Sequence, residues 1–212
     1  MTLLLLIGAI VASKKLSQLV TSENVSEGRQ IVVIDAGHGG TDPGKVVINN
    51  ALEKDINLAI AKKVEILLEE HGIQVVMTRE DDTSEESKLA DMKKRVALIN
   101  EVKPVIAVSI HQNSYSDSGI KGAQVFYYTS STVSEELALL MQEELRQIDT
   151  ENTRQAKGNE TFYMLKKTKV PTIIVECGFL SNAKEAENLA TDSYQQELAN
   201  MICNGIIKWL DK

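Results

Sequence analysis

Two histidines and two glutamates stand in four short segments whose residue types suit hydrolytic chemistry. His38 lies in a run of glycines, and His111 directly follows the apolar run 105–110. Glu53 lies near the start of a long amphipathic segment, and Glu176 stands at the end of another apolar run. Imidazole and carboxylate groups bind catalytic metal ions and transfer protons in hydrolytic sites. These four residues are therefore the first candidates for an active site.

Taken singly, the candidates also have structural explanations. Glycines on both sides of His38 let the backbone turn sharply and leave the ring exposed, and Asp35 is placed to orient that ring or its loop. A carboxylate such as Glu53 in the first turn of a helix is favoured by the helix dipole. Glu176 is costly to bury at the end of an apolar strand unless it has a cation, a hydrogen-bond partner or water. Glu176 is therefore the most informative single carboxylate in the chain.

Taken together, the four side chains match the donor set of a catalytic zinc site. Two histidines and one carboxylate, with water as the fourth ligand, form the open tetrahedral arrangement of such sites. The metal lowers the pKa of its water toward ~7 and polarises a carbonyl, and the second carboxylate can move the water proton to a leaving amine. Which glutamate binds the metal is open at this point. Serine catalysis is disfavoured, because no serine lies in a G-x-S-x-G turn.

The elements that must position these residues alternate along the chain. Apolar β-branched runs predict strands at 31–34, 73–78, 105–110, 122–129, 161–165 and 172–177. Helical spacing of apolar residues predicts helices at 52–70, 87–101, 133–148, 183–190 and 194–210. We therefore predict an α/β fold, a three-layer sandwich with a mostly parallel twisted sheet of about six strands flanked by helices. Ligands bind such sheets where strands end and loops begin, which is where the candidates stand.

Composition excludes several classes of protein. The chain has 212 residues, of which 43% are hydrophobic and 25% charged, and its formal net charge is −7. These values exclude a disordered chain, a multi-span membrane protein and a collagen-like repeat. An acidic chain has no general electrostatic reason to bind nucleic acid, so we predict no nucleic-acid partner.

The N-terminal residues differ from the rest of the chain. The apolar run 3–12 is followed by Lys14 and Lys15, and it is about half the ~20 residues that a membrane-spanning helix needs. We predict that residues 1–20 are a signal peptide or the remnant of a membrane anchor, so that the protein is exported; in the second case its N-terminus associates with the membrane. An amphipathic helix packed on the domain is the alternative. Residues 21–29 are polar and predict a linker, which leaves 30–212 as the catalytic domain.

Two cysteines do not make a disulfide scaffold. Cys177 lies in a strand-like run and Cys203 in a helical one, and we predict two buried thiols that act as small hydrophobes. Cys177 should point away from Glu176, because neighbouring side chains alternate along a strand. A single bridge between the cysteines stays open.

Four motifs, in order along the chain, resemble those of the zinc-dependent N-acetylmuramoyl-L-alanine amidases, a bacterial family of cell-wall hydrolases. They are the D-x-GHGG-x-DPG segment 35–44, the E-K pair 53–54, the S-IH-x-N segment 109–113 and the V-E-x-GF segment that starts at Val175. The stretch 95–100 also matches the family's spacing. The resemblance extends over residues 31–210.

The resemblance implies a role for each candidate. His38, Glu53 and His111 would hold zinc, and Glu176 would be the catalytic carboxylate. Apart from the resemblance, we predict that Asn113, in the polar segment after the strand, contacts the substrate or stabilises its own loop. The reaction would be hydrolysis of the amide between the lactyl group of N-acetylmuramic acid and L-alanine in peptidoglycan.

Two residues depart from the commonest family pattern. Gln112 stands where many members carry alanine, and Cys177 where many carry an aliphatic residue. The His-Gln-Asn and Glu-Cys-Gly pairings are most similar to the spore-cortex, germination-specific amidases of endospore formers. This similarity implies a role in the muramic lactam pathway of cortex formation, in the cell wall or the forespore intermembrane space. An accessory or regulatory protein is an implied partner.

Two alternatives stay open. A zinc carboxypeptidase acting on peptides needs an arginine for the terminal carboxylate, and Arg79 is the obvious candidate. A non-catalytic wall-binding or partner-binding protein on the same fold is the other alternative. The complete set of ligands together with Glu176 argues against it.

Overall fold

The computed structural model describes residues 30–47 and 51–212. The predicted leader and linker at 1–29 lie outside the described residues. Within these residues, six strands are formed: β1 (Ile31–Ala36), β2 (Gln74–Met77), β3 (Ile106–Asn113), β4 (Gln124–Tyr128), β5 (Lys157–Asn159) and β6 (Thr172–Phe179). Six helices accompany them: α1 (Glu53–Glu70), α2 (Lys88–Val102), α3 (Thr132–Leu145), α4 (Tyr163–Lys167), α5 (Ala183–Leu189) and α6 (Asp192–Leu210).

The strands form one sheet in the order β2-β1-β3-β6-β4-β5. Strands β2, β1, β3 and β6 pair in parallel. Strand β4 is antiparallel to β6 and parallel to β5. This topology confirms the predicted α/β fold with a mostly parallel sheet.

Helices cover both faces of the sheet. Alternate residues of β1 show this arrangement, because Val32 and Ile34 belong to the core formed with α1, α3 and α6. Val33, between them, packs instead with Val96 of α2 and Met164 of α4. A strand buried on both faces must be apolar at every position, which explains the continuous apolar runs.

The prediction of a strand at 161–165 is wrong. This segment enters helix α4, and the sixth strand is β5 (Lys157–Asn159), in a stretch for which no strand was predicted. Phe162 and Leu165, three residues apart, both pack against Phe126 and Ile174, which is the spacing of a helix. A short apolar run carries too little periodicity to distinguish the two structures.

Both cysteines are free and buried, as predicted. Burial raises the pKa of the Cys203 thiol to about 11, and burial also raises the pKa of Cys177. Both groups are therefore protonated and unreactive at neutral pH. Among the described helices, none combines the length and the apolar character needed to cross a bilayer.

Candidate active site

The sheet and one helix bring the four candidate residues to one place. His38 lies in the loop after β1, and Glu53 is the first residue of α1. His111 of β3 and Glu176 of β6 are directly opposite each other in the parallel pairing. Both lie inside their strands, because strand pairing continues beyond the apolar runs that the sequence shows.

His38, Glu53 and His111 form a group that could hold a metal ion. One ligand atom from each side chain lies within 4.8 Å of the others. Glu53 Oε1 is 3.1 Å from Nε2 of His38 and 3.2 Å from Nδ1 of His111. Two imidazoles and one carboxylate are the donors of many catalytic zinc sites, so the residues present fit that metal.

Two glycines allow the chain to pass this close to the site. A Cβ atom on Gly37 would overlap the ring of His111. Gly44 has φ +65°, and a Cβ atom there would lie 2.5 Å from Glu53 Oε2. The glycine-rich sequence is therefore required by the packing of the ligands and by the turn that presents His38, whose own φ is +61°.

Asp42 holds the His38 ring from the side opposite Glu53. Nδ1 of His38 lies 2.9 Å from Oδ2 of Asp42. Burial opposes protonation of His38, but the carboxylates of Glu53 and Asp42 outweigh it and raise the pKa of the ring. Asp42 was not among the predicted site residues, although it lies in the glycine-rich segment 35–44. A carboxylate four residues from a candidate metal ligand is the signal that could have found it.

Asp35 orients the loop and not the ring. Its carboxylate forms a buried ion pair with Arg95 of α2 at 2.9 Å and accepts hydrogen bonds from Ser109 and Thr78. Arg95 also donates to the backbone carbonyl of His38. Burial opposes ionisation of Asp35, but Arg95 and the two hydroxyl groups outweigh it and lower its pKa. The ion pair thus connects α2, β1 and the loop that carries His38.

Glu53 is held in place by neighbouring donors. Its Oε1 accepts from the backbone N–H of Gln112 at 3.1 Å and from Nδ2 of Asn57 at 3.4 Å, and its Oε2 accepts from the backbone N–H of Lys45 at 2.8 Å. The Gln112 side chain in turn donates to Asn57 Oδ1. Burial opposes ionisation of Glu53, but hydrogen bonds with His111 and His38 outweigh it and lower its pKa. Glu53 is therefore a carboxylate at neutral pH, as a metal ligand must be.

Unlike Glu53, Glu176 lies in surroundings that disfavour its charged form. Its Oε2 is buried and has no hydrogen-bond partner among the described residues. Burial, reinforced by the negative charge of Glu53, raises the pKa of Glu176 to about 7, although His111 and His38 act in the other direction. Glu176 therefore binds a proton more readily than Glu53 does, which is the pattern of a proton-transfer group beside a ligand. The Cys177 side chain is buried in the core that α1 and α6 share, away from Glu176, as predicted.

A cavity of about 330 Å³ opens beside these residues. His38, His111 and Glu176 line one side, and Met92, Phe162 and Met164 contribute an apolar wall from α2 and from the segment around α4. A substrate in this cavity would contact the metal group and Glu176 together. The cavity lies on the sheet face that α2 and α4 cover.

The remaining candidates occupy other positions. Asn113 is the last residue of β3, where its side chain accepts a hydrogen bond from the backbone N–H of Ser114. Its backbone carbonyl accepts from Leu180. These bonds stabilise the loop, and the substrate contact of Asn113 stays a prediction. His71, the third histidine of the chain, is not a candidate ligand: it caps α1, with Nδ1 2.8 Å from the carbonyl oxygen of Leu67.

Arg79 is not available to bind a substrate carboxylate. Its guanidinium is buried and donates to four backbone carbonyls, those of Ala36, Gly37, Lys54 and Asp81. The arginine required by the carboxypeptidase alternative therefore has a structural role that ties β1 to the start of α1.

Comparison with known proteins gives a consistent result. The family model described as N-acetylmuramoyl-L-alanine amidase matches residues 32–208. The chain is 37% identical over 189 residues to the germination-specific N-acetylmuramoyl-L-alanine amidase of Bacillus subtilis, covering 85% of this chain and 79% of that protein. It is similar in structure to the CwlD amidase of Clostridioides difficile, solved in complex with the GerS lipoprotein, with a TM-score of 0.83 and 38% identity over 86% of this chain and 99% of that one. The catalytic domain of the CwlV amidase of Bacillus (Paenibacillus) polymyxa gives a TM-score of 0.77 and 36% identity over 86% and 98%.

Proposed function

This chain belongs to the N-acetylmuramoyl-L-alanine amidase family, and we propose from that premise that it is a zinc hydrolase of peptidoglycan. The bond cleaved is the amide between the lactyl group of N-acetylmuramic acid and L-alanine of the stem peptide. One observation carries the zinc assignment: the ligand atoms of His38, Glu53 and His111 converge within 4.8 Å. Glu176 faces this group from the neighbouring strand.

The three ligands are suited to a divalent cation. Glu53 contributes a negative charge, because its lowered pKa keeps it ionised. His38 and His111 contribute ring nitrogens that already point at the same carboxylate oxygen. Zinc, when bound, supplies a Lewis acid that polarises the amide carbonyl and lowers the pKa of water.

Glu176 transfers the proton. Its carboxylate accepts a proton from the attacking water as the water oxygen bonds to the lactyl carbonyl carbon. It then gives that proton to the amide nitrogen as the carbon–nitrogen bond breaks. The products are a lactyl carboxylate and the free amine of L-alanine. In the metal-free site, burial raises the pKa of Glu176 to about 7, which is the range of a group that exchanges protons near neutral pH.

The biological setting follows from the relatives. We propose a role in spore cortex formation, because one relative is named a germination-specific amidase. The substrate lies outside the cytoplasm, so the chain would be exported to the cell wall or the forespore intermembrane space. An accessory protein is proposed as well, because the CwlD amidase was solved with a lipoprotein. Asn113, at the end of β3, is the proposed additional substrate contact.

The test is digestion of purified peptidoglycan by the purified chain, followed by analysis of the muropeptides. We expect muramic acid without its peptide, together with stem peptides that have a free N-terminal L-alanine. A chelator should abolish both products, and added zinc should restore them. Shortened peptides still attached to the sugar would instead support a carboxypeptidase. Binding to the wall without either product would support the non-catalytic alternative.

Two variants separate the proton transfer by Glu176 from the metal binding by His111. Glu176→Gln should keep its zinc and lose roughly 10²- to 10⁴-fold in hydrolysis, because the general base is removed. His111→Ala should lose most of its zinc, because one of three protein ligands is gone. Metal analysis and product formation are measured on both variants. Wild-type turnover in Glu176→Gln contradicts the proposed role of that residue.

A further inference from the structure

We infer that Asp42 and Lys88 are positioning residues for His38: Asp42 fixes the ring so that Nε2 faces the metal position, and Lys88 fixes Asp42. This inference rests on the proposed function, since it assumes that His38 is a metal ligand. Both residues line the cavity beside the site, but in this role they act through His38.

The His38 ring is held at both nitrogens. Nδ1 lies 2.9 Å from Asp42 Oδ2, and Nε2 lies 3.1 Å from Glu53 Oε1. A ring that donates through Nδ1 to a carboxylate presents the lone pair of Nε2 to a metal. Asp42 therefore selects the tautomer as well as the direction of the ring. Rotation of the ring would break both contacts.

Asp42 is itself held on its second oxygen. Oδ1 lies 2.7 Å from Nζ of Lys88 and accepts a hydrogen bond from the backbone N–H of Gly44 at 3.3 Å. The Asp42 side chain is 16% exposed, so these contacts form in a partly desolvated place. Because Asp42 has contacts on both oxygens, the plane of its carboxylate is fixed. The orientation of the His38 ring that contacts it is fixed as well.

The position of Lys88 is not explained by helix stability. Lys88 is the first residue of α2, where the helix dipole disfavours a cation. Its ammonium group reaches out of the helix to Asp42, in the loop after β1. The same helix holds this loop a second time, because Arg95 donates to the carbonyl oxygen of His38. Helix α2 thus controls both the backbone and the ring of His38.

The expected size of each effect differs. Loss of a carboxylate that orients a metal-bound histidine typically weakens metal binding by about 10- to 100-fold. Lys88 is 70% exposed, so its ion pair is partly screened, and its loss should weaken binding only a few-fold. The effect of Lys88 should also disappear when Asp42 is absent, because Lys88 acts through it.

The experiment measures zinc affinity of the full chain by competition with a chromogenic chelator. The variants are Asp42→Ala, Asp42→Asn, Lys88→Met and the double variant of Asp42→Ala with Lys88→Met. Asp42→Asn keeps an acceptor oxygen and should lie between wild type and Asp42→Ala, and circular dichroism checks that each variant is folded. Lys94→Met is the matched control, because Lys94 lies on the same helix, is 68% exposed and pairs with Glu85. This control should bind zinc as the wild type does.

A second measurement tests the orientation of the His38 ring without any bound zinc. In the metal-free protein at about pH 9, the ¹⁵N signals of the His38 ring should report one tautomer in the wild type and a mixture in Asp42→Ala. Wild-type zinc affinity in a folded Asp42→Ala overturns the inference while leaving the proposed function intact. Additive effects of the two substitutions overturn the role of Lys88. If the wild type binds no zinc, the proposed function fails, and identical ring signals in the two proteins then overturn the inference as well.

Discussion

Glu53 and Glu176 are two glutamates in one site with opposite electrostatic surroundings. Glu53 accepts hydrogen bonds on both oxygens, whereas Glu176 has a buried oxygen without a partner among the described residues. A carboxylate in that position destabilises the folded protein whenever it is charged and no cation is near. The position of Glu176 suits proton transfer but lowers the free energy of unfolding when the carboxylate is charged, and this loss should be measurable.

We predict that Glu176→Gln stabilises the metal-free protein at alkaline pH and not at acidic pH. The pKa of Glu176 is raised from 4.5 to about 7 in the folded state. The folded protein therefore binds this proton more tightly than the unfolded chain does, so stability falls as pH rises from the unfolded pKa to the folded one. The gain from the substitution should be about 3 kcal/mol larger at pH 8 than at pH 4. Urea unfolding with a chelator present measures it.

The control for this prediction is an exposed glutamate on a nearby helix. Glu187 of α5 is exposed, and Glu187→Gln should change stability equally little at both pH values. An equal gain for Glu176→Gln at pH 4 and pH 8 would show that removal of the charge is not its cause.

We predict that Gly37→Ala displaces His111 and leaves the fold intact. The added Cβ atom would overlap the His111 ring, which must then move from the metal position. Zinc affinity should fall by about tenfold or more, because a ligand is misplaced. Gly119→Ala is the control, since its Cβ atom would meet only the side chain of Asp117 at 3.1 Å. Chelator competition measures the zinc affinity, and circular dichroism checks that each variant is folded. Unchanged zinc affinity in Gly37→Ala would contradict the packing described for this loop.

The sequence could predict the residues that carry chemistry but only part of what supports them. His38, Glu53, His111 and Glu176 are recognisable because their types and neighbours are unusual for apolar strands and helix starts. Asp42, Asn57 and Gln112 look like ordinary polar residues until the fold shows which side chain each one contacts. Supporting contacts depend on distances between separate segments, which no local pattern contains.

At the scale of elements, helix α2 has more influence on the site than its sequence suggests. It covers one face of β1 and β3. Its Arg95 side chain donates a hydrogen bond to the backbone carbonyl of His38, in the loop after β1. Arg95 and Asp35 are 6% and 1% exposed, so their ion pair is removed from water. Such a pair contributes little net stability while complete, but it is costly to break because the remaining charge stays buried.

We predict that Arg95→Met destabilises the protein by about 3–5 kcal/mol, because Asp35 is left buried without its cation. Zinc affinity should fall as well, since the carbonyl of His38 loses its donor. Arg146→Met is the control: Arg146 pairs with Glu143, which is 69% exposed, and donates to the backbone carbonyl of Arg154, so its loss leaves no buried charge and should cost about 1 kcal/mol. Urea unfolding measures both variants, and a loss no greater in Arg95→Met than in the control would contradict the prediction.

Acid should remove the contribution of this ion pair. The pKa of Asp35 is lowered in the folded state, so its stabilising effect is present above the unfolded pKa near 3.8 and is lost as pH falls through the folded pKa. The difference in stability between wild type and Arg95→Met should therefore shrink below about pH 4. A difference that stays constant down to pH 2 would assign the effect of Arg95 to packing alone.

The elements themselves were predicted best where the pattern was long. Helices α1 and α6 and strand β1 follow from sustained apolar periodicity, because a core on one or both sides determines the residue types. The segment 161–165 was predicted wrongly because five residues fit either period, and β5 was missed because Lys157–Asn159 has no apolar residue. Strands β3 and β6 extend past their apolar runs because neighbouring strands supply the hydrogen bonds.

At the scale of the whole molecule, one α/β domain accounts for the residues that the family shares. The family match covers residues 32–208, and the site lies where four parts of this domain meet. The net charge of −7 does not distinguish a wall hydrolase from many other enzymes. A wall hydrolase is distinguished by its local sequence motifs. The order of the strands in the sheet brings the residues of these motifs together into one site.

The last prediction concerns residues 1–29, which precede this domain. Peptidoglycan lies outside the cytoplasm, so we expect the enzyme to be exported, and we propose the apolar run 3–12 as the export segment. We predict that residues 1–29, fused to an alkaline phosphatase that is active only outside the cytoplasm, give an active reporter in a bacterial host. Leu6→Arg should abolish that activity by placing a charge inside the apolar run.

The matched control is Ser17→Arg, which adds the same charge outside the apolar run and should leave the reporter active. The mass of the exported fusion distinguishes a cleaved signal peptide from an uncleaved anchor, because only the former loses its N-terminal residues. Activity that survives Leu6→Arg would show that the apolar run is not the export signal. An inactive wild-type fusion would instead favour the alternative of an amphipathic helix packed on the domain, since such a helix has no role in translocation.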